Sequence, residues 1–182
     1  MIKSKIRKKT LYIRKKKNNK NIQLSFSKIF KEIKKKISPK KIVGGYYPVN
    51  FEIDILEILE NLEKKIGIQL SLPVIKKNNE MDFYSWYTKN LLKLNKYGIP
   101  EPEKTKKVFP DIIFVPVVAF DNRLYRIGYG GGYYDRYIHK ISNKKKLLKI
   151  GIAHSCQKIN KVPTNKYDKK LDIIITEKYI LR

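Results

Sequence analysis

Residues 112–140 read IIFVPVVAFDNRLYRIGYGGGYYDRYIHK. The first nine are apolar, rich in Val, Ile and Phe, and interrupted only by Pro116. A short run of this kind reads as a strand covered on both faces. A polar turn follows, then four glycines at 128, 130, 131 and 132, then a helix through Tyr137 and Ile138. Strands alternating with helices in this way belong to α/β folds, where ligands gather beyond the carboxyl ends of the strands. The glycines stand just past one such end.

The flanking sequence repeats the alternation. On the N-terminal side, Phe26, Ile29, Phe30, Ile33 and Ile37 recur at three- and four-residue spacing, which predicts a helix over 22–37 ended by Ser38 and Pro39. KIVGGYY (41–47) reads as a short strand. Phe51, Ile55, Leu59, Leu62 and Ile66 mark one face of a second helix, stopped by Gly67. QLSLPVI (69–75) is another strand and MDFYSWY (81–87) a further extended piece. Three prolines in YGIPEPEKTKKVFPD (97–111) rule out a continuous helix there. LLKIGIAH (147–154) and LDIIITE (171–177) are two more apolar strands. The expected fold is α/β, with a mostly parallel central sheet covered by helices in a Rossmann-like three-layer arrangement. One domain over 1–182 is expected, opened by a basic helix at about 1–20.

The 182 residues carry a net charge of +26 and a single cysteine, Cys156. One cysteine forbids an internal disulfide and suits a reducing compartment. No apolar run is long enough for a membrane span, and the basic start lacks the apolar core of a secretory signal. A cytoplasmic monomer is expected. The charge has two readings. One is a basic RNA-binding module without catalysis, its lysines on phosphates and its tyrosines stacked on bases. The other is composition, because lysine, isoleucine, asparagine and tyrosine are abundant together and AT-rich codons specify all four. The lysines are spread through every segment instead of forming one patch, so no specific nucleic acid is expected.

Glycine tolerates positive φ and lets another group approach the backbone. Four of them between Arg126 and Arg136 let successive N–H groups converge on one anion at a helix N-terminus. Tyr129, Tyr133 and Tyr134 add flat faces and hydroxyls, and Asp135 falls in or near the first turn of the following helix. A carboxylate there also satisfies the helix dipole with no ligand at all. The loop is neither a Walker A motif, since Lys-Ser/Thr is missing, nor a dinucleotide fingerprint of the usual spacing. The residues alone give an anion or nucleotide site.

Other candidates carry less. His139 and His154 lack metal-ligand spacing to each other or to Cys156. Glu52 reads as a residue at a helix start, with Asp54 and Glu57 able to serve equally. Trp86, Tyr84 and Tyr87 suit a core or a stacking surface. Asp168 and Asp172 are four apart beside a strand, where one of them could meet a divalent cation.

Taken together, the segments resemble the 5-formyltetrahydrofolate cyclo-ligase family. The central match is FVPVVAFDNRLYRIGYGGGYYDR (114–136), which is similar to the family's strand, Phe-Asp turn and glycine-tyrosine signature. KSKIR (3–7), YYPVNFEID (46–54), LPVI with MDF, GIPEP (98–102) and VPTNKYDKKLDIIITE (162–177) follow the family's order. The resemblance implies ATP- and Mg2+-dependent closure of 5-formyltetrahydrofolate to 5,10-methenyltetrahydrofolate, with release of ADP and phosphate.

Carried over by position, the resemblance implies an ATP site made of Lys3, Arg7, Arg126, Ile127, Gly128, Tyr129, Gly130, Gly131, Gly132, Tyr133 and Tyr134. Tyr47 and Glu52 would contact the folate, together with Tyr129, Gly130, Gly131, Gly132 and Tyr133; Trp86 would help to form its pocket. Arg126 and Asp135 would be catalytic, with Asp135 and Asp172 holding Mg2+. Two positions depart from the pattern. Leu124 stands where the family often has glycine, and Ile127 where it has leucine.

Overall fold

The computed structural model describes residues 2–17 and 24–182. Four α-helices are present in it: α1 (Ile2–Lys17), α2 (Phe26–Ile33), α3 (Leu56–Ile66) and α4 (Tyr133–Ser142). Met1 and residues 18–20 of the expected basic helix, and residues 22 and 23 of the next, lie outside the described residues.

The main sheet has eight strands. At its centre are β1 (Ile42–Gly44), β2 (Gln69–Ile75), β7 (Ile112–Pro116), β10 (Leu148–Ile152) and β11 (Ile173–Ile175). These five run parallel in the order β11-β10-β7-β1-β2. Antiparallel strands close both sides: β3 (Met81–Trp86) and β6 (Lys107–Val108) beyond β2, and β12 (Ile180–Leu181) beyond β11. Two small hairpins stand apart, β4 (Lys93–Leu94) with β5 (Pro100–Glu101), and β8 (Ala119–Phe120) with β9 (Arg126–Ile127).

The period-two alternation of a strand sorts the central side chains into two cores. Ile112 and Phe114 of β7 point to the face covered by α2 and α3, where they join Ile29, Ile33, Leu59 and Leu62. Ile113 and Val115 point to the opposite face and meet Tyr137, Ile138 and Ile141 of α4. Helices, sheet and helix form the three layers expected. Full burial of side chains such as Phe114 and Leu59 stabilises the fold by about 1.5–3 kcal/mol each. Of the described residues, no helix is long and apolar enough to cross a membrane.

Helix ends follow local chemistry. Gly67 (φ +71) caps α3 in the left-handed region and its N–H donates to the Glu63 carbonyl, as the sequence predicts. The start differs. Asn50 (φ +49) and Phe51 (φ +62) are left-handed, and α3 begins only at Leu56, whose amide donates to Asp54 Oδ1. Phe51 and Glu52 therefore sit in a loop before the helix rather than at its start. The helix over 22–37 ends at Ile33, although Ile37 still packs on the core.

Candidate active site

A cavity of about 1480 Å³ opens beyond the carboxyl ends of β1, β2 and β7. Tyr46 and Tyr47 line it after β1, Ile75 at the end of β2, and Pro116 at the end of β7. The glycine loop forms another wall, from Arg126 through Arg136.

The turn joining β8 to β9 aims this loop. The Asp121 carboxylate accepts from the amides of Arg123, Tyr125 and Val162 and pairs with the Arg123 guanidinium. Burial alone would push its carboxyl up, but those donors hold it below the usual carboxylate range. Leu124 occupies a left-handed position (φ +67), a backbone conformation that glycine adopts more readily than any side-chain-bearing residue. That conformation costs a leucine about 1–2 kcal/mol. Burying its side chain, which is 5% exposed, contributes about 1.5–3 kcal/mol and offsets the strain.

Arg126 is buried on β9. Its Nη1 donates to the Lys169 carbonyl (2.8 Å) and its Nη2 to Asp135 Oδ1 (3.1 Å). Asp135, in the first turn of α4, also accepts from the Lys169 amide through Oδ1. Gly130 (φ +109) and Gly132 (φ +68) adopt conformations that side chains resist, and Gly132 caps α4. A side chain at Gly130 would begin 3.2 Å from the Arg7 guanidinium, so its absence lets α1 lie against the loop. Arg7 Nε donates to the Gly128 carbonyl (2.8 Å), and Lys3 Nζ pairs with Asp168 Oδ2 at 2.5 Å.

The half-buried Glu52 also borders the cavity and accepts from the Tyr129 hydroxyl (2.9 Å) and the Val49 amide (2.9 Å). Burial pushes its carboxyl up to about 7, against the pull of those donors and of Arg14. Burial and the neighbouring Glu52 raise the Tyr129 hydroxyl to about 12 and the Tyr134 hydroxyl well above its ordinary value. Tyr133 reaches across the mouth, its hydroxyl 3.3 Å from that of Tyr97 and 3.2 Å from Asn79 Oδ1. Six cations line the cavity against four carboxylates, an excess that suits anionic ligands.

Lys3, Arg7, Tyr47, Glu52 and every residue from Arg126 to Asp135 thus border one cavity. Asp172 does not. It precedes β11, where its carboxylate accepts from the Lys149 amide (2.7 Å) and pairs with Lys149 Nζ (3.1 Å), at the amino ends of β10 and β11. Asp168 is the carboxylate that reaches the cavity. An Asn165 turn carries it there: the Asn165 side chain accepts from the amides of Tyr167 and Asp168, and the Lys169 amide docks on Asp135. Asp135 and Asp168 each have one oxygen engaged and one without a hydrogen bond among the described residues. Trp86 belongs to the core under α3 and does not line the cavity. Arg14, Tyr97 and Asn79 join the site without any local sequence signal, being brought in from separate elements.

The profile of the 5-formyltetrahydrofolate cyclo-ligase family matches residues 1–177. The Haemophilus influenzae 5-formyltetrahydrofolate cyclo-ligase is 31% identical over 144 residues, which covers 74% of this chain and 75% of that one. The Escherichia coli K12 protein of the same name is 31% identical over 141 residues, 74% of this chain and 76% of that one. Among solved structures, the Aquifex aeolicus 5,10-methenyltetrahydrofolate synthetase superposes with a TM-score of 0.75 at 32% identity, covering 100% of this chain and 93% of that one. The Mycoplasma pneumoniae 5,10-methenyltetrahydrofolate synthetase gives 0.69 at 26% identity, covering 97% and 99%.

Proposed function

The chain belongs to the 5-formyltetrahydrofolate cyclo-ligase family, and on that premise we propose that it converts 5-formyltetrahydrofolate to 5,10-methenyltetrahydrofolate, using ATP and Mg2+ and releasing ADP and phosphate. The observation that carries this reading is the shared cavity. At about 1480 Å³ it exceeds the roughly 300–1000 Å³ of a pocket for one small ligand. Its lining also combines the cationic glycine loop with Glu52 and Tyr47.

The formyl oxygen takes the terminal phosphoryl group of ATP, which turns a poor leaving oxygen into part of a phosphate. Folate nitrogen 10 then attacks the activated carbon and loses its proton as the C–O bond breaks and phosphate departs. A loose phosphoryl transition state needs positioning and charge neutralisation more than a covalent nucleophile. The glycine-loop amides, Arg126, Lys3 and Arg7 supply both on the phosphate side. Glu52 accepts N–H donors of the pterin on the other.

Magnesium is usually held by one or two carboxylates together with substrate phosphates. The free oxygens of Asp135 and Asp168 fit that role, and Asp172 does not, because its carboxylate ties β10 to β11. Bound there, Mg2+ would neutralise charge on the phosphates.

Purified protein given 5-formyltetrahydrofolate, ATP and Mg2+ is expected to generate the absorbance of the methenyl product. Omitting any one of the three, or chelating the metal, should stop it. Absence of product in the complete mixture would overturn the reading.

A further inference from the structure

Arg14 stands seven residues beyond Arg7, two turns along α1 and on the same face. It is 1% exposed, and no carboxylate of the described residues lies within ion-pair distance of it. Nη1 donates to the Val117 carbonyl (3.3 Å), Nη2 donates to the Tyr129 hydroxyl (2.5 Å), and Nε has no partner among the described residues. A guanidinium is held out of water at a cost that neutral acceptors only partly offset. Its placement therefore calls for a role other than stability.

Tyr129 supplies one. Its hydroxyl accepts from Arg14, so its single proton is directed to Glu52 Oε1, 2.9 Å away. The relay has a fixed polarity, from guanidinium through hydroxyl to carboxylate. Glu52 Oε2 is held by the Val49 amide, which leaves one lone pair on each oxygen for an incoming pair of N–H donors. A direct Arg14–Glu52 ion pair would occupy those lone pairs. The interposed tyrosine brings the positive charge close and leaves the carboxylate open.

We infer that Arg14 is a positioning residue for folate recognition, holding Glu52 through the Tyr129 hydroxyl in the orientation and ionised form that accepts the pterin donors. This rests on Glu52 as a folate contact. The other titratable groups facing Glu52 are the hydroxyls of Tyr46 and Tyr134, while His154 holds the adjoining loop through the Phe51 carbonyl. Burial raises both tyrosines well above their ordinary values, lowers His154 and raises Glu52 to about 7. Arg14 pulls it down, and removing that charge raises it further.

The test is Arg14→Met, which keeps chain length and apolar packing, beside Arg14→Lys, which restores the charge. The KM for 5-formyltetrahydrofolate is expected to rise about tenfold or more in Arg14→Met, the scale of one charge-assisted hydrogen bond. The KM for ATP should stay within about twofold, because an α1 that moved would carry Lys3 and Arg7 away as well. The acid limb of the kcat/KM profile should move to higher pH, and Arg14→Lys should recover most of both effects. Equal rises in the two KM values, or an unmoved acid limb, would overturn the inference. Glu52→Gln separates the two levels: an unchanged folate KM there removes the underlying reading, whereas a raised one beside an unaffected Arg14→Met removes this inference alone. Should Arg14→Met not fold, Tyr129→Phe breaks the same relay and must give the same shift of the acid limb.

Discussion

Glu52 shows how a single side chain couples binding to stability. Burial raises its carboxyl from 4.5 in the unfolded chain to about 7 in the fold. Between those values the folded protein keeps a proton that the unfolded chain has released, so stability falls as pH rises through that window, and the whole cost is present above about 7. Glu52→Gln is therefore expected to be more stable than the parent by about 1–3 kcal/mol at pH 8, with the gap closing below pH 5. Urea denaturation at the two pH values measures it, and an equal gap at both would contradict the burial argument. Asp135 is a second case. Asp135→Asn keeps an acceptor for Arg126 and Lys169, so turnover should collapse while the melting temperature moves little. Asp135→Ala should cost a further ~1–3 kcal/mol by leaving Arg126 without its acidic partner. The candidate status of Asp135 was legible in the sequence because it falls in the first turn of the helix that follows the glycine loop. The choice between Asp168 and Asp172 was not: it depends on whether a carboxylate turns toward the loop or ties two strands together, and both stand beside the same strand.

Elements were legible where pattern and length were strong. β2 spans Gln69–Ile75, the seven residues expected, and Gly67 stops α3 as predicted. Two-residue strands such as β4, β5 and β6 were not, because a pair of residues has no period to read. The start of α3 was misplaced because Phe51 continues the apolar spacing while its backbone is left-handed. A long-range ionic hub was equally hidden. Asp82 of β3 is buried and takes Lys76, Lys107 and Lys140, joining the segment after β2, β6 and α4. In a chain with lysine in every segment, no spacing marks those three. Burial alone would push Asp82 up, but the lysines outweigh it and hold the carboxyl at about 2. Its contribution is thus present above the unfolded value of 3.8 and lost as pH falls toward about 2. Asp82→Asn should destabilise by about 2–3 kcal/mol at neutral pH, less than for a fully buried pair because the lysines are partly exposed. A loss below 0.5 kcal/mol in denaturant titration (about the scale of a neutral surface substitution) would show that the hub contributes no more than a surface pair.

At the scale of the molecule, the three layers followed from strands whose alternate residues serve two cores, and the cavity lies where such sheets place their ligands. The antiparallel strands at the two edges left no comparable mark, since edge direction is set by connections and not by side-chain pattern. The cavity brings α1, the loop before α3, the glycine loop and the Asn165 turn together around one volume. That convergence suits a reaction in which phosphate leaves carrying the substrate's own oxygen. The most direct measurement uses 5-formyltetrahydrofolate labelled with heavy oxygen in the formyl group, with ATP and Mg2+. The expected result is one labelled oxygen in the released phosphate for each methenyl product formed. Unlabelled phosphate, with the label recovered in water, would contradict phosphorylation of the formyl oxygen.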